Sequence, residues 1–191
     1  MAKLIILEGL SRTGKTTIAN NLHKNGYGRI ISLKEKMPDN CDLASFYKGT
    51  FYSYDAFFRA FPKETFILDR SFVSEMVYSR FFDRHCQISN EYVSEFLETH
   101  DVKVYFLSNN HEDYMKRGPK DKIIYDEKQY KQINDLFEDS LKTCMSMIEG
   151  CEIVGDFVLM PRDKELPFLK IDTSQNNLEQ TINLIKEDYG K

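Results

Sequence analysis

Two kinds of apolar pattern alternate along this chain. Short runs rich in Val, Ile, Leu and Phe, with little polar alternation, occupy Leu4 to Glu8, Arg29 to Leu33, Thr65 to Asp69, Val102 to Leu107 and Phe168 to Asp172. Runs of that length and composition predict strands buried on both faces. Between them, apolar residues return every three or four positions, which predicts helices from about Lys15 to Lys24, Leu43 to Phe61, Val73 to Phe82, Asn90 to Thr99, Glu127 to Ile148 and Leu178 to Glu187. Val93, Phe96 and Leu97 make one stripe behind Asn90, and Ile133, Leu136, Phe137, Leu141 and Met145 make another; both read as core. Strands alternating with helices predict an α/β fold: five parallel strands joined by right-handed crossovers, with helices on both faces of the sheet.

Two segments break the pattern. His111 to Tyr125 places Lys116, Arg117, Lys120 and Lys122 around Gly118-Pro119, a pair that interrupts helices. The expectation there is a small, flexible, basic lid over 111–125. The stretch from Gly150 to Pro167, holding Gly155 and Pro161, is expected to be an irregular insert with no assigned role. The chain shows no internal repeat, and its 191 residues suit a single domain spanning 1–191.

Candidate chemistry enters where the first strand ends. Gly9-Leu10-Ser11-Arg12-Thr13-Gly14-Lys15-Thr16 fits G-x-x-x-x-G-K-[ST] at every fixed position, between a predicted strand and a predicted helix. Glycines at Gly9 and Gly14 let the backbone turn so that successive amides wrap a phosphate. Lys15 supplies a mobile charge for the β- and γ-phosphates, Thr16 offers a hydroxyl to Mg²⁺, and the following helix directs its positive end at the same anion. Ser11, Arg12, Thr13 and Thr17 complete the expected nucleotide-binding set.

A phosphate loop identifies the ligand class and leaves the reaction open. No Asn-Lys-x-Asp segment reads guanine, and the chain is too short for a helicase or transporter core. Asp69-Arg70-Ser71-Phe72-Val73-Ser74-Glu75 stands at the end of the strand Phe66-Ile67-Leu68, where open α/β sheets place ligands. Asp69 can hold a magnesium-bound water or orient a hydroxyl, and Arg70 can fork two N–H groups onto an acceptor phosphate. A helix-capping Asp and a paired Arg would give the same letters; their position downstream of a phosphate loop favours chemistry.

With 41% hydrophobic and 29% charged residues the composition is that of a soluble protein, and no apolar run approaches the roughly 20 residues that span a bilayer. The N-terminus has no basic segment followed by an apolar stretch, so a cytoplasmic location is expected. Cys41, Cys86, Cys144 and Cys151 form no C-x-x-C pair and read as reduced, mostly buried thiols. A net charge of −4 with dispersed basic residues weighs against a large nucleic-acid footprint and leaves DNA a lesser alternative partner.

The chain resembles the thymidylate kinase and deoxynucleoside kinase superfamily. The resemblance rests on Glu8 to Thr17, on Asp69-Arg70 with Ser74, and on Lys116-Arg117-Gly118 ahead of a long helix; it runs from about Lys3 to Ile148, with a final strand at Phe168 to Asp172. It implies a three-layer P-loop NTPase fold with ATP and Mg²⁺. Lys15 and Arg12 would neutralise the transferring group, Thr16 and Asp69 would serve the metal, Arg70 would grip the acceptor, and Arg117, with Lys120 or Lys122, would close the lid. The aromatic helix from Phe46 to Phe61 would supply a face for the base, through Phe51 or Tyr54, and a cation, Lys48 or Arg59, for its phosphate. Glu35 falls where deoxynucleoside kinases place a general base, and between Lys34 and Lys36 it reads equally well as a surface residue. Ser11 departs from the family, which commonly carries Asp there to contact the sugar hydroxyl. The resemblance further implies a homodimer formed through helices flanking the sheet.

The leading expectation is therefore an ATP-dependent kinase for a pyrimidine deoxynucleoside monophosphate. The alternatives are a deoxynucleoside kinase acting on a sugar hydroxyl, a kinase for a hydroxymethylated pyrimidine in DNA and, from another class, a nucleotide-binding regulatory module without turnover. The chain lacks the tryptophan that deoxynucleoside kinases often place after the second strand.

Overall fold

A computed structural model describes residues 1–32, 42–117, 124–147 and 168–190, together with the backbone of 152–154 and 157–159. Its main sheet comprises β1 (Lys3–Glu8), β2 (Arg29–Ser32), β3 (Thr65–Asp69), β4 (Asp101–Ser108) and β7 (Phe168–Asp172). These pair in the order β2-β3-β1-β4-β7, and every pairing is parallel.

The strands' period of two decides which helix layer each residue meets. Leu4 and Ile6, with Phe66, Leu68, Val104 and Phe106, enter one core cluster beneath α2 (Leu43–Ala60), α3 (Phe72–Phe81), α4 (Asn90–Thr99) and α6 (Glu127–Ser146). Ile5 and Leu7, with Ile67, Tyr105 and Leu107, enter a second cluster beneath α1 (Lys15–Lys24) and α7 (Leu178–Tyr189). This is the expected three-layer arrangement. Burial on both faces holds for β1, β3 and β4; β2 and β7, each paired on one side only, are half-buried over most of their length. Edge strands have fewer neighbours to cover them, which unbroken apolar runs do not reveal.

The expected irregularity of the lid and the insert needs correction. The lid segment opens with a helix, α5 (His111–Lys116), because the Asn110 side chain accepts from the Asp113 amide at 2.8 Å and Tyr114 is wholly buried as an anchor. Gly118, Pro119, Lys120 and Lys122 lie outside the described residues. Within the insert, β5 (Glu152–Val154) and β6 (Phe157–Leu159) pair antiparallel, with Ile153 opposite Val158. Three-residue runs are too short for periodicity to register as strands. Cys86 and Cys144 are free thiols, and burial pushes the Cys144 pKa up to about 12, which suppresses thiolate formation at neutral pH. Cys41 and Cys151 are outside the described residues. Among those residues no helix is long and apolar enough to cross a membrane.

Candidate active site

Parallel register brings the carboxyl ends of β1 and β3 together, with Leu7 opposite Asp69. The chain leaves β1 at Gly9, whose φ is +130°, and a Cβ there would lie 2.2 Å from the Leu107 carbonyl oxygen. Only glycine fits so close to β4. Gly14, at φ +93°, then starts α1 as its N-cap. The side chains of Asp42, Ser71, Ser89, Asn110, Asp126 and Asn177 cap the other described helices. No side chain caps α1, and its first turn holds no acidic residue. The positive end of that one helix is thus left to an anion.

Lys15 is buried and folds back over the loop: its Nζ donates to the Gly9 carbonyl at 2.9 Å, to the Leu10 carbonyl, and to Thr13 Oγ1 at 3.3 Å. Thr16 Oγ1 donates to Asp69 Oδ2 at 2.6 Å. This hydroxyl-carboxylate pair of hard oxygen donors suits Mg²⁺. No cluster of three or more His, Cys, Asp or Glu that could hold a metal occurs among the described residues, so the remaining ligands would come from phosphate and water. Arg12, held at φ +69°, lays its guanidinium 4.6 Å from the centroid of the Tyr114 ring and donates from Nη1 to the Tyr114 carbonyl at 3.2 Å. Its Nε and Nη2 are buried without a hydrogen-bond partner among the described residues. Orphaned buried donors are costly unless a ligand meets them, and phosphate oxygens are the fitting acceptors. Arg117 Nη1 donates to the Arg12 carbonyl at 2.8 Å and Nη2 to the Thr173 carbonyl at 3.2 Å, tying the loop to the turn after β7.

Across the loop lies Arg70, at φ +82°. Its Nη1 donates to the Gly9 carbonyl and to Ser74 Oγ, both at 3.2 Å, and Nη2 reaches Ser11 Oγ at 3.4 Å. The guanidinium also stands 5.8 Å from the centroid of the Tyr78 ring. Every hydrogen-bond acceptor found for Arg70 among the described residues is a neutral oxygen. Against the loss of hydration that burial imposes, Tyr78, Glu8 and Asp69 hold its pKa above the usual arginine value, so it stays charged. Burial pushes the Tyr78 phenol up, with Arg70 opposing.

Close to Arg70 stand residues the sequence did not single out for binding. Glu75, 2% exposed, accepts both Arg84 guanidinium nitrogens, Nη2 at 2.6 Å, and the Gln87 amide at 3.3 Å. Arg84 in turn stands 5.8 Å from the centroid of Tyr47, whose phenol is pushed up first by burial and then by Glu75. Asp83, one position before Arg84, shares with Arg12 and Arg70 a positive φ, here +48°. All three left-handed non-glycine residues among those described therefore belong to, or immediately precede, the arginines of this region. Such backbone strain persists where surroundings enforce it, commonly at functional sites.

Gly9, Ser11, Arg12, Thr13, Gly14, Lys15, Thr16, Asp69, Arg70 and Arg117 are thus brought together. Thr17 is exposed on α1, where its carbonyl accepts from Asn21. Of the two aromatics named for the base, Phe51 is 5% exposed and belongs to the core, while Tyr54 is half-buried and stacked on Phe58. The α2 stripe explains this, since Phe51 and Phe58 face inward two turns apart. Lys48 is exposed, and Arg59 is engaged by Asp55 at 2.8 Å and Glu95 at 2.9 Å. Glu35 lies outside the described residues.

The all-parallel sheet, the glycine cradle and the adjoining Asp-Arg strand end define a P-loop kinase fold of the thymidylate and deoxynucleoside kinase type. The YorR protein of Bacillus subtilis, solved in complex with phosphorylated GDP, is similar to this chain with a TM-score of 0.64 and 19% identity, covering 99% of both chains. Thymidylate kinase from Candida albicans is similar at TM-score 0.67 and 16% identity over 99% of this chain and 91% of its own. Deoxyadenosine kinase from M. mycoides, solved with dCMP and dCDP, is similar at 0.56 and 17% over 98% of each. No protein-family model matches the chain, and no curated protein sequence matches it. At these identities the likeness establishes the fold.

Proposed function

We propose that this chain is an ATP-dependent kinase that phosphorylates a pyrimidine deoxynucleoside monophosphate. The observation that carries this reading is the pair of facing arginines: among the described residues, Arg12 has two buried, unmet N–H donors beside the uncapped start of α1, and Arg70 is hydrogen-bonded only to neutral oxygens on the other side of the same loop. Two cationic groups with donor capacity, one on each flank, suit two phosphates held for transfer between them.

In this reading the loop amides and Lys15 bind the ATP phosphates, Arg12 stabilises charge on the transferring γ-phosphoryl group, and Arg70 orients the acceptor phosphate. An acceptor phosphate oxygen attacks the γ-phosphorus as the bond to the β-γ bridging oxygen breaks, giving the nucleoside diphosphate and ADP. Thr16 and Asp69 would hold Mg²⁺, which neutralises charge on the β- and γ-oxygens when bound. A phosphate monoester is already ionised near neutral pH, so its attack calls for positioning rather than for a base. Tyr47, Tyr78, Glu75 and Arg84 form the wall against which the nucleoside lies, and Arg117 closes the loop toward the β7 turn.

Incubation with Mg-ATP and, separately, dTMP, dCMP, thymidine, deoxycytidine and duplex DNA tests the reading. ADP release dependent on a monophosphate is expected. Transfer only to a nucleoside or into DNA would replace it by one of the alternative acceptors, and ATP binding without transfer to any of them would leave a regulatory module.

A further inference from the structure

Glu8 ends β1 with no part in the chemistry above, yet it is fully buried, and its hydrogen-bond partners among the described residues belong to the Asp-Arg strand end. Oε1 accepts from the Ser71 amide at 2.6 Å and from Ser71 Oγ at 2.7 Å; Oε2 accepts from Ser74 Oγ at 2.7 Å. Ser74 Oγ also accepts from Arg70 Nη1 at 3.2 Å. A hydroxyl has a single proton, and with that proton committed to Glu8 the oxygen of Ser74 can only accept from Arg70. The Ser71 amide follows Arg70 directly, so its bond to Glu8 also fixes the peptide just beyond the left-handed Arg70 backbone.

We propose that Glu8 is a positioning residue for Arg70, acting through Ser71 on its backbone and through Ser74 on its guanidinium, and thereby sets how tightly the acceptor phosphate is held. This rests on the reading that Arg70 receives that phosphate. Glu8 reaches Arg70 from the strand that also delivers the phosphate loop, so one carboxylate couples the loop's root to the opposite wall. Burial raises the Glu8 pKa, and the two serine donors, Arg70 and Lys15 only partly oppose that rise. All three hydrogen bonds are donated to Glu8, so it sets the direction of every bond in the relay. A glutamine of the same shape would present one N–H₂ group instead and reverse at least one of them.

The test uses Glu8→Gln and Ser74→Ala in the full chain, with KM for dTMP and for ATP measured separately. Both variants should raise KM for dTMP roughly tenfold with KM for ATP changed less than about threefold, the scale of weakening one charged hydrogen-bonded contact. Either change combined with Arg70→Ala should add less than about twofold to the loss from Arg70→Ala alone. Equal loss for both substrates, or losses that multiply, would place Glu8 in loop stability and overturn the proposal. Should Glu8→Gln fail to fold, Ser74→Ala carries the comparison by itself. A second readout needs no substrate: the guanidinium Nη–H resonances of Arg70, identified by their loss in Arg70→Ala, should be protected from exchange in the wild type, where Nη1 donates to Ser74 Oγ, and lose that protection in Ser74→Ala. If the wild type used none of the five acceptors, the kinase reading would fall. The resonances would still decide the relay, since unchanged protection in Ser74→Ala refutes it.

Discussion

The cradle between β1 and α1 takes its functional groups from one uninterrupted stretch, Gly9 to Thr16. The wall facing it assembles Tyr47, Arg70, Ser74, Glu75, Tyr78 and Arg84 from α2, from α3 and from the turns at either end of α3. Under the proposed function, the difference lies in the ligand each would meet. A phosphate tail can be wrapped by backbone amides, which any sequence supplies once glycine permits the turn, so a few letters at fixed spacing suffice. A nucleoside face needs side chains of particular size and polarity, and the fold gathers those from separate elements. Accordingly the cradle should fail in single steps when one group is removed, and the wall should fail gradually.

Lys15→Ala probes the first half of that contrast and should have the largest effect. Its Nζ is buried against two loop carbonyls and one hydroxyl. Loss of a preorganised charge contact of this kind costs about 3 kcal/mol or more of transition-state stabilisation, and kcat should fall roughly 10²- to 10³-fold. A variant with near-normal kcat would remove Lys15 from the proposed chemistry.

Arg70→Ala comes next and marks the border between cradle and wall. It should raise KM for the acceptor about 30-fold, equivalent to about 2 kcal/mol, with a much smaller change for ATP. Arg70→Lys should recover little of this, because an ammonium cannot reproduce the fork that reaches Gly9, Ser74 and Ser11 together. Parallel loss of both substrates would show that Arg70 supports the loop rather than the acceptor.

Arg84→Met should act on stability as well as on binding. Removing Arg84 leaves Glu75, whose side chain is 1% exposed, without its cationic partner, whereas Arg84 itself is 24% exposed and partly hydrated. Because Arg84 is partly hydrated, the cost falls below the roughly 3–5 kcal/mol of breaking a fully buried pair, to about 2 kcal/mol, or roughly 5 °C in Tm for a chain of this size. If Tm fell by less than about 1 °C, the pair would contribute little to holding the wall.

How much of this was legible follows the same division. The five strands and the sheet's two covered faces could be read because an unbroken apolar run between helical stripes has few alternatives. The cradle was legible because Gly9 and Gly14 answer a backbone demand visible at fixed spacing. Glu75 and Arg84 were not, because their pairing depends on the turn from Phe82 to Arg84, where Asp83 adopts a positive φ without a glycine to announce it. Phe51 and Tyr54 could not be ranked from spacing, since both lie on the aromatic side of α2 and only packing against β3 and α4 decides which is covered. Glu8 carried one signal: a charged residue closing an apolar strand whose interior positions are fully buried. The short helix α5 was hidden by Gly118-Pro119, whose helix-breaking character acts downstream of the turn that Asn110 and Tyr114 had already secured.

The smallest expected effect distinguishes a lid cation from a strut. Arg117 is exposed, and among the described residues its two hydrogen bonds go to main-chain carbonyls, of Arg12 in the cradle and Thr173 after β7. A group so placed holds the loop from outside while Arg12, on the buried side, retains the unmet donors. Arg117→Ala should therefore raise KM for ATP about fivefold, near 1 kcal/mol, through loosening of the Arg12 segment, and lower kcat by a similar factor. Arg12→Ala should cost at least tenfold more in kcat. Doubling the salt concentration should change the wild-type and Arg117→Ala values of KM in parallel, because bonds to neutral carbonyls do not depend on long-range charge attraction. A kcat loss in Arg117→Ala equal to that in Arg12→Ala would instead mean that Arg117 leaves its two carbonyls and meets the transferring phosphate directly, and the cradle would then extend into the segment expected to be its lid.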